Sequence, residues 1–86
     1  MPEISRFLGI IIGMYVDDHN PPHFHVYYNE YDALITIRNL IIMEGDLPAR
    51  IFRLVKEWAL LHQQELMEDW DLLHRTATFN KIAPLE

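Results

Sequence analysis

Three of the five histidines fall in the segment Asp17-Asp18-His19-Asn20-Pro21-Pro22-His23-Phe24-His25-Val26. In a strand, residues two apart share a face, so His23 and His25 project together while Phe24 and Val26 point the other way. An H-x-H pair of this kind can set two imidazoles around one ion. His19, on a loop stiffened by two consecutive prolines, supplies a third. With Asp18 as a neighbouring carboxylate, this is a donor set for zinc or a nickel-like divalent ion with one coordination position left open. The same residues also suit general acid–base chemistry, because histidine titrates near neutral pH without perturbation. His19, His23 and His25 are therefore candidate catalytic residues, and the same three with Asp18 are candidate metal ligands. The structural alternative makes them a half-exposed strand edge, with His19 capping the turn.

A second polar set lies further along the chain. At about 100° per residue, His62, Glu65 and Asp69 fall within the apolar stripe of a helix rather than on its solvated face. Buried carboxylates are costly unless paired. Either this face looks across at the histidine loop and supplies carboxylates to it, or the helix has left the sheet by this point; the excess helix length favours the second. Charge on this helix is also unusual. Arg50, Arg53 and Lys56 occupy its first turns and Glu65, Glu68, Asp69 and Asp71 its last part, in opposition to the helix dipole. Leu60 and Met67 sit seven apart on the otherwise polar side. Together with Glu68 and Asp71 they form a candidate partner-binding row, for a protein partner or a second copy of the chain.

The elements that must position these residues follow from periodicity. β-branched and aromatic residues dominate 4–8, 10–16, 24–28 and 31–38, with a short apolar run at 40–43. Gly9 either separates two strands or bends one at a bulge. Asn29-Glu30 between two β-rich runs reads as a hairpin turn, since Asn tolerates positive φ. From Leu47 the period lengthens: Ile51, Leu54, Val55, Trp58, Leu61, Leu66, Trp70 and Leu73 recur at three- and four-residue spacing. Asp46 is the expected N-cap, with Pro48 in the first turn. Carried to Arg75, this helix would be about 40 Å long, more than a domain of this size is wide, so it bends or breaks near residues 62–64 or extends past the sheet. Ile82 and Leu85 are spaced to anchor an extended tail.

The fold expected is α+β: a small antiparallel sheet of about four to five strands, packed on one face by a long C-terminal helix. The chain reads as one domain over 1–86, with strands over 1–45, helix over 46–75 and tail over 76–86. Its 86 residues permit one modest core, and with no cysteine there is neither a disulfide framework nor a thiolate metal site. Net charge −6 argues against direct nucleic-acid binding by this chain alone. The apolar run at 7–16 follows Arg6 but leads into Asp17-Asp18 rather than a cleavage site, and it is too short to span a bilayer. The reading is a cytoplasmic protein with no membrane segment. Gly-rich phosphate loops, G-x-S-x-G and H-E-x-x-H are absent.

The whole chain resembles the bacterial family known as domain of unknown function 4160. The resemblance rests on Ile4-Ser5-Arg6-Phe7, on the string from Asp18 to Val26, on Glu57-Trp58 with His62, and on Lys81-Ile82-Ala83-Pro84-Leu85. Asn29 departs from the glycine common in that turn. Such proteins look like halves of small two-gene modules, commonly beside another domain of unknown function (number 2442), which implies a toxin–antitoxin-like or regulatory pair. Two functions are expected on these grounds. The first is an interaction protein of a two-protein module, acting by protein–protein contact through its helix. The second is a small metal-dependent or histidine-based hydrolase using His19, His23 and His25, with RNA phosphodiesters as one substrate class.

Overall fold

The computed structural model describes residues 2–86 and shows an α+β fold. Five strands, β1 (Glu3–Phe7), β2 (Ile10–Gly13), β3 (His23–Tyr28), β4 (Tyr31–Thr36) and β5 (Ile42–Gly45), form one antiparallel meander in chain order. Leu8 (φ 53°) and Gly9 (φ 78°) both take positive φ between β1 and β2. This is the backbone of a primed two-residue hairpin turn, so Gly9 separates two strands rather than bending one. Asn29 (φ 52°) opens the β3–β4 hairpin, whose register runs from Tyr28↔Tyr31 to His23↔Thr36.

Alternation assigns the two faces of the sheet. Ile10 and Ile12, Phe24 and Val26, and Ala33 and Ile35 are buried on one side. That side meets two helices, α1 (Ala49–Leu61) and α2 (Gln63–Thr76). Trp58 of α1 is fully buried, its ring 5.4 Å from Phe7 and 6.2 Å from Phe24. Ile51, Val55, Leu66, Trp70 and Leu73 complete the helical contribution to the core. The opposite sheet face carries His25, Tyr27 and Leu34, which are half-buried, and the exposed Glu44.

The helical stretch breaks at His62 (φ −129°, ψ 22°). The longest dimension of the molecule is 34 Å, shorter than the roughly 40 Å that an unbroken helix over the same residues would need. Gln63 holds the break in place, its Nε2 donating to the Ile37 carbonyl at 2.9 Å and to the Arg38 carbonyl at 3.2 Å. The start of α1 differs from expectation: Pro48 occupies the N-cap position without a side-chain cap, and Asp46 lies before the helix. Asp46 instead donates its backbone N–H to the Asp32 carbonyl, continuing the β4–β5 edge. The tail packs as expected. Ile82 is 4% exposed and donates its N–H to the Ile4 carbonyl, and Trp58 Nε1 donates to the Ala83 carbonyl.

Candidate metal centre

His23 and His25 open β3 on the face opposite Phe24 and Val26, as an H-x-H strand pair must. The preceding loop returns the chain to them. Asp18 donates its N–H to the Tyr15 carbonyl, and its Oδ2 accepts the Tyr15 N–H at 3.1 Å, closing a tight turn that turns the carboxylate inward. The Asn20–Pro21 peptide bond is cis, and the Pro22 carbonyl accepts the Ile37 N–H beside the start of β3. As a result the ligand atoms of Asp18, His23 and His25 lie within 4.8 Å of one another. Asp18 Oδ2 is 3.0 Å from His25 Nε2 and 3.7 Å from His23 Nε2.

Proton bookkeeping constrains this triad. His23 Nδ1 stands 2.8 Å from the Pro21 carbonyl, which can only accept, so Nδ1 carries the proton. In the neutral ring, Nε2 then presents a bare lone pair to the Asp18 carboxylate. Two acceptors facing each other at 3.7 Å repel unless a cation or a second proton lies between them. His23 is 4% exposed and Asp18 is half-buried. A tetrahedral ion bound at about 2.1 Å holds its donors about 3.4 Å apart, and the two Asp18–His spacings bracket that value. The Pro21 carbonyl behind His23 also fixes tautomer and ring orientation, as an outer-shell partner of a metal-binding histidine does.

The surroundings are aromatic and hydrogen-bonded. Tyr15 meets His25 edge-on at 4.6 Å, Tyr27 stacks on its other flank at 6.2 Å, and the two tyrosine hydroxyls are 3.0 Å apart. Burial, reinforced by that hydroxyl contact, pushes the Tyr27 phenol up to about 12, so it remains a protonated donor at neutral pH. Trp70 lies 5.3 Å from His23. His74, in the last turn of α2, places Nε2 2.7 Å from the Asp18 carbonyl and Nδ1 2.7 Å from the Trp70 carbonyl. Both partners are acceptors, so both nitrogens donate in a protonated ring. The Asp18 carbonyl first, then the Trp70 carbonyl, raise the His74 pKa. A cavity of about 400 Å3 lined by Asp18, His19, Asn20, Trp70, Asp71 and His74 opens on one side of the centre. A second, of about 260 Å3, lies beside His25 and Tyr27.

The predicted residues divide accordingly. His23, His25 and Asp18 come together; His19 is exposed on the rim of the larger cavity and lies outside the triad. The loop turns at Asp18 and runs outward at His19, so the third donor is the carboxylate rather than a third imidazole. Glu65 and Asp69 do not reach the histidines. Glu65 pairs with His62 Nδ1, and Asp69, 1% exposed, accepts the Asn80 N–H at 2.8 Å. Asp69 therefore stays within the packed part of α2 and tethers the tail. Leu60 is 58% exposed, whereas Met67 is half-buried against the core, and the helix break separates them. Glu68 and Asp71 are exposed on α2. Tyr15, Tyr27 and His74 were not legible as site residues in the sequence. The only local hint was the placement of His74 in a last helical turn, where a cation is favoured.

The family model described as Domain of unknown function (DUF4160) matches residues 9–71, which span β2 through most of α2 and include the whole triad. The chain belongs to that family. No curated protein and no solved structure matches it. Among the described residues, no helix is long and apolar enough to cross a membrane.

Proposed function

We propose that this DUF4160 chain is a small metal-dependent hydrolase whose Asp18, His23 and His25 hold one divalent transition ion of the zinc or nickel type. The observation that carries this reading is the convergence of the Asp18, His23 and His25 donor atoms within 4.8 Å of one another, with His23 Nε2 facing the Asp18 carboxylate at 3.7 Å. Three protein donors of two imidazoles and one carboxylate leave a coordination position open, where the ion supplies Lewis-acid activation. The chain's own residues then have distinct tasks. Pro21 and Tyr15 orient the ligands through backbone groups, and Tyr27 offers a neutral hydroxyl beside His25. His19 stands exposed at the cavity mouth, where it can exchange protons with solvent.

Calorimetric titration of chelator-treated protein with zinc or nickel is expected to show one ion per chain. His23→Ala and His25→Ala should each weaken binding by roughly a hundredfold or abolish it, and Asp18→Asn by at least about tenfold. Zinc-dependent cleavage of an activated phosphodiester and an activated carboxylic ester, suppressed by the same variants, tests the hydrolytic step. Heat signals that are absent, or unchanged in all three variants, would overturn the metal reading. Binding without cleavage of either substrate would overturn the hydrolase assignment alone.

A second reading has its own observation. Leu60 and Leu61 are 58% and 70% exposed on α1, which supports a contact protein of a two-protein, toxin–antitoxin-like or regulatory module. A strictly monomeric chain that also retains no protein from its native lysate would count against it.

A further inference from the structure

Arg53, Lys56, Glu57, Leu60 and Leu61 line a groove of about 630 Å3 on the outer side of α1. Their i, i+3, i+4, i+7, i+8 spacing is that of one helix face able to receive another helix. Leu60 and Leu61 are the two exposed large apolar side chains of the helical layer, among the described residues. The basic groups beside them are uncommitted: among the described residues Arg6 alone, of all lysines and arginines, forms an ion pair with a carboxylate. Two cations against the single Glu57 carboxylate leave the groove net positive on a chain of net charge −6. The outer side of α2 carries a net opposite sign, with Glu68 and Asp71 exposed beside one arginine, Arg75. One molecule thus displays both halves of a complementary contact on successive helices.

We infer that this face is the interface of a two-fold homodimer, with the Arg53/Lys56/Leu60/Leu61 groove of each copy receiving the Glu68/Asp71 face of α2 of the other. The inference rests on the protein-contact reading and names its occupant as a second copy of this chain. A two-fold contact is made twice, so one pair of complementary patches per chain supplies two charge-matched seams. Overall repulsion between two acidic chains acts across tens of ångströms and is screened at 0.1 M salt, where the Debye length is about 10 Å. Charges in direct contact are screened far less, so the local match decides. The two leucines provide apolar burial and the charges set orientation and register.

The deciding experiment mixes two charge-reversed variants of the full chain. R53E/K56E makes α1 acidic, and E68K/D71K makes α2 basic. Each alone opposes like charges in both seams and should run as a monomer by sedimentation, with a dimer Kd raised roughly tenfold or more over wild type. Mixed in equal amounts they restore both seams, and a 1:1 heterodimer should form. Far-ultraviolet circular dichroism of each variant verifies folding, and Leu60→Ser with Leu61→Ser, which leaves every charge in place, should also weaken the wild-type dimer. A wild-type chain that stays monomeric at high concentration would overturn self-association, while leaving the contact reading to be decided by a different partner. A wild-type dimer indifferent to both charge variants would overturn this interface specifically.

Discussion

Asp69 shows how a single side chain can carry a cost that the surrounding fold accepts. It is 1% exposed, Oδ1 accepts the Asn80 N–H, and Oδ2 has no hydrogen-bond partner among the described residues. Burial raises its pKa. The Asn80 N–H opposes that shift, and Glu65 and Glu68 add to it. An acid whose pKa is raised in the folded state holds its proton longer there than in the unfolded chain. Its contribution to stability is therefore most favourable in acid and is lost as pH rises from the ordinary aspartate value through the raised one. Asp69→Asn retains an acceptor for Asn80 and removes the buried charge. Urea denaturation between about pH 4 and 7 should show wild type losing stability relative to Asp69→Asn as pH rises. Parallel stability curves would contradict this account.

The turns and breaks between elements were partly written in local residue types. Leu8 adopts φ 53° in the β1–β2 turn while 67% exposed, so it pays the left-handed penalty without the compensation of packing. Leu8→Asn is expected to stabilise the fold by about 0.5–1 kcal/mol, seen as a rise of several degrees in Tm. Gly45 is the opposite case. Its φ is 80°, and a Cβ there would stand 2.3 Å from the Asp32 carbonyl oxygen, against backbone that cannot easily yield. Gly45→Ala should destabilise by more than about 1 kcal/mol in the same melting experiment and loosen β5 first. Helix length left two outcomes, a bend or break near residues 62–64 or an extension past the sheet, and the chain takes the first, at His62. The N-cap could not be placed so well: Asp46 has the right chemistry, but pairing its N–H with Asp32 keeps it in the sheet edge and leaves Pro48 to begin α1.

The tail joins both layers of the molecule. Ile82 fills the core, its N–H extends β1 through the Ile4 carbonyl, Ala83 accepts from Trp58, and Asn80 donates to Asp69. Removing residues 79–86 exposes Ile82's site and strips three hydrogen bonds from buried or half-buried partners. The expected loss is about 3–5 kcal/mol, a large share of the stability of a chain this small, and equilibrium urea unfolding would measure it. A truncated chain with wild-type stability would show that the tail only rests on the core. At this level the acidic excess also acquires a pattern, since Arg50, Arg53 and Lys56 lie on α1 and Glu65, Glu68 and Asp71 on α2, two successive helices packed on the same core.

Periodicity in the sequence was enough for the α+β class, the alternating strands, the amphipathic helical stretch and the common face of His23 and His25, because each depends on neighbours within a few residues. Which residue joins His23 and His25 did not follow from spacing. Asp18 and His25 are seven residues apart and His74 lies 56 residues from Asp18, and only the closed path of the loop against β3 and α2 brings them together. The same holds for Asp69, whose partner Asn80 belongs to the returning tail, and for Met67, drawn into the core once the helix broke. Local patterns encode which way a side chain points from its own element. Where that element ends up, and which distant carbonyl, carboxylate or ring stands opposite, is decided by how the layers close around a core too small to admit an unbroken helix.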